Sequence, residues 1–251
     1  MDEQGQKTIR TKKVGKILIW VGLLLFFFYS YQSIIDWEQV VNPRRQQALI
    51  RVLTELAQPN LFESKTRQQV AGGMWETIQM AFLATVTSTI IAIAFTFLSA
   101  RASSFWGHAF NFLLQPLLAV IRSIHPLLLM FPVVTLVGLG PTGGILAITL
   151  FSTAILTTDF SDYAQQHTSL NWLTLLKGHF PSLAFRRFTV NLVIATIIGF
   201  MGGGGIGFLL QQSFSLLDYR NASVALLAII VSVASLDLLS RAVWLKIQKG
   251  K

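Results

Sequence analysis

The feature that most constrains the fold is a series of long apolar runs separated by short polar segments. Five of them approach or exceed the ~20 residues that a helix needs to cross the hydrocarbon core of a bilayer. A sixth, shorter run contains Pro132, at which we expect a kink. The six predicted spans are residues 17–35, 74–100, 124–137, 143–158, 183–201 and 221–245. Only 12% of the residues are charged, about half the share found in soluble domains. The sequence therefore predicts an all-α integral membrane protein with about six transmembrane helices.

The polar segments divide the chain into an N-terminal part and a core. Residues 1–16 form a basic tail, residues 17–35 an anchor, residues 36–73 a periplasmic segment and residues 74–251 the membrane core. A cleaved signal peptide is the alternative for the first run, but the run is long for that role and no small-x-small cleavage site follows it. Residues 105–121 are expected to lie as a helix on the cytoplasmic face, with a tilted or re-entrant segment as the open alternative.

The distribution of positive charge predicts the orientation of the spans. The chain carries 20 Lys and Arg and a net charge of +9. With both termini placed inside, 14 of these 20 residues fall in segments on the cytoplasmic side, as the positive-inside rule requires. We therefore expect a multi-pass membrane protein with cytoplasmic termini and lipid as its surroundings. The positive net charge is explained by the orientation of the spans in the membrane, and nucleic acid is not an expected partner.

Several classes of chemistry are excluded or disfavoured by what the sequence lacks. It has no cysteine, and its four histidines are never spaced as paired metal ligands. Gly202–Gly207 formally matches the GxGxxG dinucleotide fingerprint, but an apolar helix precedes it where a strand is required. We interpret it as a flexible break at the end of a span. A GxxxxGK[ST] loop is absent, so ATP for any energised transport must be bound by another subunit. We expect no catalytic, cofactor-binding or metal-binding residues in this chain.

The polar interruption at residues 159–181 is the most informative segment between spans. Residues 162–176 can form a helix, since leucines recur at positions 170, 173 and 176 among polar residues. Ser161 and Asp162 are candidate N-caps, while Gly178 and Pro181 are expected to end the helix. The plain alternative is a connector lying on the membrane surface without a partner.

The spacing within this loop resembles the EAA loop of ABC-transporter permeases. Asp162-Tyr163-Ala164 stands at the Glu-Ala-Ala position, and Phe180-Pro181 stands at the closing Leu-Pro. Gly178 occupies the position of an apolar residue, and Thr168 the position of the loop glycine. The spacing of the motif is therefore kept, although threonine replaces its glycine.

The flanking sequence is similar to that of the phosphonate-type permeases in particular. Downstream matches are Asn191, Ala195, Thr196, Gly199, Phe200, Gly202 and the run Gly204-Gly205-Ile206-Gly207. Upstream matches are Glu76–Ala81, Arg101, Arg122 and Gly138–Pro141, and Asp237 matches near the end of the chain. The chain departs from this family at Thr189 and Val193, where a Glu and an Arg four residues apart are usual. Because both charges are lost together, neither is left unpaired inside the membrane.

The resemblance implies a type I ABC importer permease with a MetI-like core. Such a protein is a homodimer that binds cytoplasmic ATPase subunits, which hold the ATP and magnesium, and an external solute-binding protein. It would form the translocation path for a phosphonate or a related oxyanion such as phosphite. The implied pore or gate residues are Arg122, Thr189, Asn191, Thr196, Gly202, Gly204, Gly205 and Gly207. For Thr189, Asn191 and Thr196, ordinary interhelical hydrogen bonds are the alternative. Permeases for other small solutes, a passive channel, a scaffold and a membrane-embedded enzyme are the competing functions.

Overall fold

The computed structural model describes residues 3–100, 105–166 and 180–249, and these residues form helices joined by short connections. In chain order the helices are α1 (Glu3–Ile34), α2 (Trp37–Val41), α3 (Pro43–Leu56), α4 (Ser64–Ala100), α5 (Phe105–Ser123), α6 (Pro126–Val137), α7 (Pro141–Gln166), α8 (Phe180–Ile198), α9 (Gly205–Ser215) and α10 (Tyr219–Lys249). A π-helical turn, Gly199–Gly203, joins α8 to α9. No strand occurs in the described ranges.

The chain divides into two compact units, Met1–Thr54 and Glu55–Lys251. In the first unit the predicted tail and anchor form one continuous helix, α1, whose apolar stretch Leu18–Ile34 is exposed along its length. Asp36 caps α2, since its carboxylate accepts a hydrogen bond from the Gln39 backbone N–H at 3.3 Å. Pro43 begins α3, a position where the missing N–H of proline has no cost.

The second unit packs around four long helices. Four segments are long and apolar enough to cross a membrane: Ser64–Ala100, Pro141–Gln166, Phe180–Gly203 and Tyr219–Leu239. Small and medium apolar side chains fill the space between them, including Met80, Ala84, Ile148, Leu192, Ala195, Ile198, Ile206 and Ala222. Small residues let helices approach closely, which matters in a membrane because lipid solvates apolar side chains as well as protein does. The all-helical membrane fold is therefore as predicted.

The number and limits of the spans differ from the prediction in three places. The first is the N-terminal run, whose apolar stretch Leu18–Ile34 is one of the shorter apolar helices and is not among the candidate spans. Helix α4 begins at Ser64, inside the predicted periplasmic segment 36–73, because Thr66, Val70 and Gly73 are buried and continue the helix. Residues 126–137 are too short to cross alone, since 12 residues rise about 18 Å. Together with residues 111–123 they make a pair bent by 107° that passes as one span. The described ranges thus hold four or five candidate spans where six were predicted.

The bend in this pair lies earlier than the expected kink at Pro132. Pro132 is inside the continuous helix α6, whereas the chain turns between Ser123 and Pro126. His125 precedes a proline and is extended (φ −62°, ψ 140°), as the clash with the following ring favours. Its ring Nδ1 accepts a hydrogen bond from the Leu127 N–H at 3.3 Å, so it also caps α6. The helix restart at His125-Pro126 therefore sets the bend.

Candidate functional site

Two stacked aromatic rings close the base of the polar loop. Phe160 near the end of α7 and Phe180 at the start of α8 lie with ring centroids 4.2 Å apart and planes 16° from parallel. Both are almost fully buried, and they pack with Ala92 of α4 and Leu156 of α7. This contact holds the two ends of the loop together, so any force on the loop reaches both helices.

The residues aligned with the EAA motif lie around this base. Asp162 and Pro181 are exposed, while Tyr163 and Ala164 are partly buried against the aromatic pair. Thr168 and Gly178 lie outside the described residues. The expectation that Ser161 and Asp162 cap a new helix is wrong: both are inside α7, which begins at Pro141 and runs to Gln166. The first turn of the predicted loop helix is therefore the continuation of a membrane span.

The glycine run forms the predicted break between two helices. The backbone is π-helical over Gly199–Gly203, and then Gly204 and Gly205 lead into α9. Gly204 has φ 83° and ψ −170°, a conformation open to glycine alone. At Gly207 the constraint is space, because a Cβ there would overlap the carbonyl oxygen of Thr196 in α8. Both helices therefore depend on glycine for their close approach after the break.

Two other segments hold the break in position. The Thr77 hydroxyl of α4 accepts a hydrogen bond from the Ile206 N–H at 2.8 Å and donates one to the Gly73 carbonyl at 2.9 Å. It thereby caps α9, whose own N-cap residue is a glycine without a side chain. On the other side, the Gly140 N–H donates to the Gly202 carbonyl at 3.0 Å. Three segments far apart in the sequence thus meet at one place.

A cleft of about 560 Å³ opens beside this junction. Glu76, Gly140, Pro141, Gly204 and Phe208 contribute to its walls. The Glu76 carboxylate comes so close to Gly204 that a Cβ there would lie 3.0 Å from Oε1. Within the described residues, Glu76 makes no hydrogen bond or ion pair. Three of the four glycines named from the sequence, Gly202, Gly204 and Gly205, therefore border a cleft to which Glu76 contributes a carboxylate.

The other candidate pore residues are inside the helix bundle in this conformation. Asn191 is fully buried and bridges three helices: its Oδ1 accepts from the Ser152 hydroxyl at 2.7 Å and its Nδ2 donates to Thr85 Oγ1 at 2.9 Å. Thr196 donates to its own helix at the Leu192 carbonyl, 3.1 Å away. Asn191 thus makes the interhelical bonds that the sequence left as the alternative to a pore-facing stripe.

Thr189 and Arg122 complete the set of predicted sites. Thr189 is buried, and its hydroxyl has no hydrogen-bond partner among the described residues. Arg122, at the end of α5, donates from Nη1 to Thr158 Oγ1 of α7 at 3.0 Å. Arg122 therefore fastens the bent pair to α7 near the loop base.

Arg187 is a functional candidate that the sequence reading counted only as a cytoplasmic charge. It lies in the span Phe180–Gly203, where its Nε–H donates to Ser152 Oγ at 3.2 Å. Its guanidinium carbon is 5.0 Å from the centroid of the Phe151 ring, a cation–π contact. A basic residue about one turn inside the predicted span 183–201 was the signal that could have identified it.

Comparisons with known proteins agree with the motifs. No family model matches the chain. The chain is 29% identical to the phosphate-import permease protein PhnE of Mycolicibacterium smegmatis, over 67% of this chain and about a third (35%) of that protein. It is 25% identical to the phosphite transport system permease protein PtxC of Stutzerimonas stutzeri, over 91% of this chain and 87% of the relative. A putative phosphite permease protein, HtxC, of the same organism is 23% identical over 67% of the chain.

Solved structures identify the fold. A chain of the MetNI methionine ABC transporter, in an inward-facing conformation, matches with a TM-score of 0.55 at 15% identity. The match covers 74% of this chain and 99% of the other. A second crystal form of the same transporter gives a TM-score of 0.53. The chain is thus a multi-pass helical membrane protein with the MetI-like fold of ABC importer permeases, and its relatives are phosphate and phosphite permease proteins of the kind that the EAA-type loop and the glycine run indicate.

Proposed function

We propose that this chain is the permease subunit of an ATP-driven importer and forms the translocation path for a phosphorus oxyanion such as phosphonate, phosphite or phosphate. The observation that carries the proposal is the alignment with a phosphite permease protein along 91% of the chain. The MetI-like fold supports the importer class but not a methionine substrate, because at 15% identity a structural match reports the fold alone.

The loop at residues 159–181 is the element that couples the path to ATP. Two permease copies would each dock this loop on a cytoplasmic ATPase subunit as a helix in a groove. ATP and magnesium bind to those ATPases, and this chain contributes no catalytic group. The Phe160–Phe180 stack makes the loop base rigid, so closure of the ATPases would move α7 and α8 as one body. An external binding protein would deliver the solute and supply most of the selectivity.

The glycine break is the flexible point at which this motion would be accommodated between α8 and α9. Helices α8 and α9 meet at Gly199–Gly205, where the backbone leaves the α-helical ladder. Hydrogen bonds to Thr77 of α4 and to the α6–α7 turn hold the break on one side of the cleft. A shift of α8 would therefore change the cleft beside Glu76 while α9 keeps its cap.

Reconstitution tests the substrate. The permease is assembled with its ATPase and binding protein in proteoliposomes, and ATP-dependent uptake of radiolabelled phosphite, phosphate and methylphosphonate is measured. We expect saturable uptake of at least one of these anions that requires both partners. Uptake of none of the three, in an assembly that hydrolyses ATP and takes up another solute, would overturn the proposal.

The proposed orientation in a bacterial inner membrane places both termini and the loop in the cytoplasm. Because the natural chain has no cysteine, single cysteines report orientation without background from this subunit. Lys65→Cys near the start of α4 is expected to react with an impermeant maleimide from outside intact cells, and Asp162→Cys only after permeabilisation. Labelling of both from the same side would contradict the topology.

A further inference from the structure

The facing helices α7 and α8 hold polar atoms that lack hydrogen-bond partners. Within the described part of the chain, buried side-chain atoms without a partner are Thr153 Oγ1 and Ser161 Oγ on α7 and Arg187 Nη2 and Thr189 Oγ1 on α8. Buried polar atoms in folded proteins are nearly always paired, and an exception calls for an explanation such as a ligand or water. All four exceptions fall on the two helices that flank the coupling loop.

Arg187 is the charged member of this group. Among the described residues its guanidinium makes one hydrogen bond, from Nε to Ser152. The Asp159 carboxylate attracts Arg187 electrostatically but forms no ion pair with it among the described residues. A charge inside a membrane span is expensive, and such residues usually serve a function.

A directed chain of hydrogen bonds holds this guanidinium in place. Arg187 donates to Ser152, Ser152 donates to Asn191 at 2.7 Å, and Asn191 donates to Thr85 at 2.9 Å. Thr85 in turn donates to the Ala81 carbonyl at 2.6 Å. These hydrogen bonds all run in one direction, from Arg187 as the first donor towards α4. The network therefore fixes the guanidinium on one side and leaves Nη2 as a buried donor without a partner among the described residues.

The chemistry of the free group determines what it can bind. A guanidinium has donors only and stays protonated, so its partner must be an acceptor and is best an anion. Its planar N–H groups match the oxygen spacing of phosphate-like anions. Nη2 has no accessible surface in this conformation, so an anion can reach it only after a change in how α7 and α8 pack against the rest of the bundle. Those helices are the ones that the coupling loop would move.

We propose that Arg187 contacts the phosphorus oxyanion during its passage, with Ser152 and Asn191 positioning the guanidinium. The contact forms in a conformation that exposes Nη2 while Ser152 and Asn191 still hold the guanidinium, and it is lost in the arrangement described here. Arg187 is thus a substrate-binding residue of the path itself, in addition to the selectivity of the binding protein. The inference rests on the proposed function, because it assumes that a phosphorus oxyanion is the solute.

Uptake by the reconstituted importer tests the contact. We compare Arg187→Gln and Arg187→Lys with Arg186→Gln, a matched control at the exposed neighbouring arginine. Arg187→Gln is expected to lower the maximal rate of phosphite or phosphate uptake about 10- to 100-fold, the effect of one lost charge-assisted hydrogen bond. ATP hydrolysis and thermal midpoint stay near the natural values. Arg187→Lys recovers part of the rate because it keeps the charge, and Arg186→Gln stays within about twofold.

A merely structural arginine gives a different result. If Arg187→Gln and Arg187→Lys lower the thermal midpoint and the assembly of the complex equally, Arg187 serves as a tether between helices and the proposal is overturned. It is also overturned if Arg187→Gln transports like the natural protein. Absence of uptake by the natural complex would instead refute the proposed function, so the two failures are distinguishable.

Cysteine chemistry gives a second measurement. In Arg187→Cys the only thiol of the permease is at the site. Reaction with an aminoethyl methanethiosulfonate restores a positive charge, whereas the methyl reagent adds bulk alone. We expect uptake to recover with the first and not with the second, and phosphite to slow labelling during ATP turnover. Equal effects of the two reagents, or labelling that phosphite leaves unchanged, would contradict the inference.

Discussion

Replacement of Gly207 by alanine tests the close packing at the glycine break. A Cβ at this position would overlap the Thr196 carbonyl oxygen and lie 2.6 Å from the Phe200 nitrogen and 2.9 Å from the Gly199 carbonyl carbon. All three neighbours are backbone atoms, so no flexible side chain can move aside. Overpacking of this kind costs about 1–3 kcal/mol or more, and the better helix propensity of alanine returns at most about 1 kcal/mol. Because three backbone atoms are overlapped at once, the cost lies at the upper end of the overpacking range, about 3 kcal/mol, and we expect a net loss of about 2 kcal/mol.

Gly72 provides the matched control. It lies inside α4, and a Cβ there meets nothing within 4 Å. Gly72→Ala is therefore expected to stabilise the protein by about 0.5–1 kcal/mol through helix propensity alone. The measurement is the thermal unfolding midpoint of the detergent-solubilised permease, which shifts by roughly 2–4 °C per kcal/mol in chains of this size. A midpoint for Gly207→Ala equal to or above that of the natural protein would refute the packing argument.

Three further substitutions follow from the contacts at the break, the bundle interior and the loop. Thr77→Val removes the acceptor for the Ile206 N–H and should lower stability by about 1–3 kcal/mol, whereas Thr77→Ser should retain most of it; thermal unfolding of both variants checks this. Phe180→Ala should cost about 3–5 kcal/mol and reduce coupling of ATP hydrolysis to uptake, with Phe180→Leu milder, and undiminished coupling would contradict the rigid loop base. Asp162→Lys should release the ATPase in a pull-down while membrane insertion is kept; unchanged association would remove Asp162 from the docking surface.

The break and the loop base depend on each other through α8. This helix begins at the buried Phe180 and ends at the π-turn that starts at Gly199. Arg187 and Asn191 lie between them and connect α8 to α7 and α4. A movement of α8 that starts at the loop would therefore shift these polar contacts before it reached the glycine break. For this reason, substitution of Arg187 or Asn191 should affect transport more than folding.

The sequence alone was sufficient for properties that depend on local composition. The length of the apolar runs indicated a helical membrane protein, because a bilayer core requires helices of a certain length whatever they pack against. The glycine run between residues 202 and 207 indicated a break, because positive φ angles are a local property of glycine. The spacing from Asp162 to Pro181 indicated an ABC-transporter permease, and the relatives and the fold agree with that resemblance, while the role of the loop residues stays a prediction.

Only the tertiary structure decided which residues meet. Thr77, Gly140 and Gly202 are far apart in the chain, and nothing local shows that they hold one junction. Lipid-facing and protein-facing sides of a span are both apolar, so periodicity does not reveal the buried side. For the same reason Arg187 could be counted as a cytoplasmic charge from its sequence. Its place beside Ser152, and the chain of donors that leads from it to α4, follows from the packing of three helices that the sequence does not determine locally.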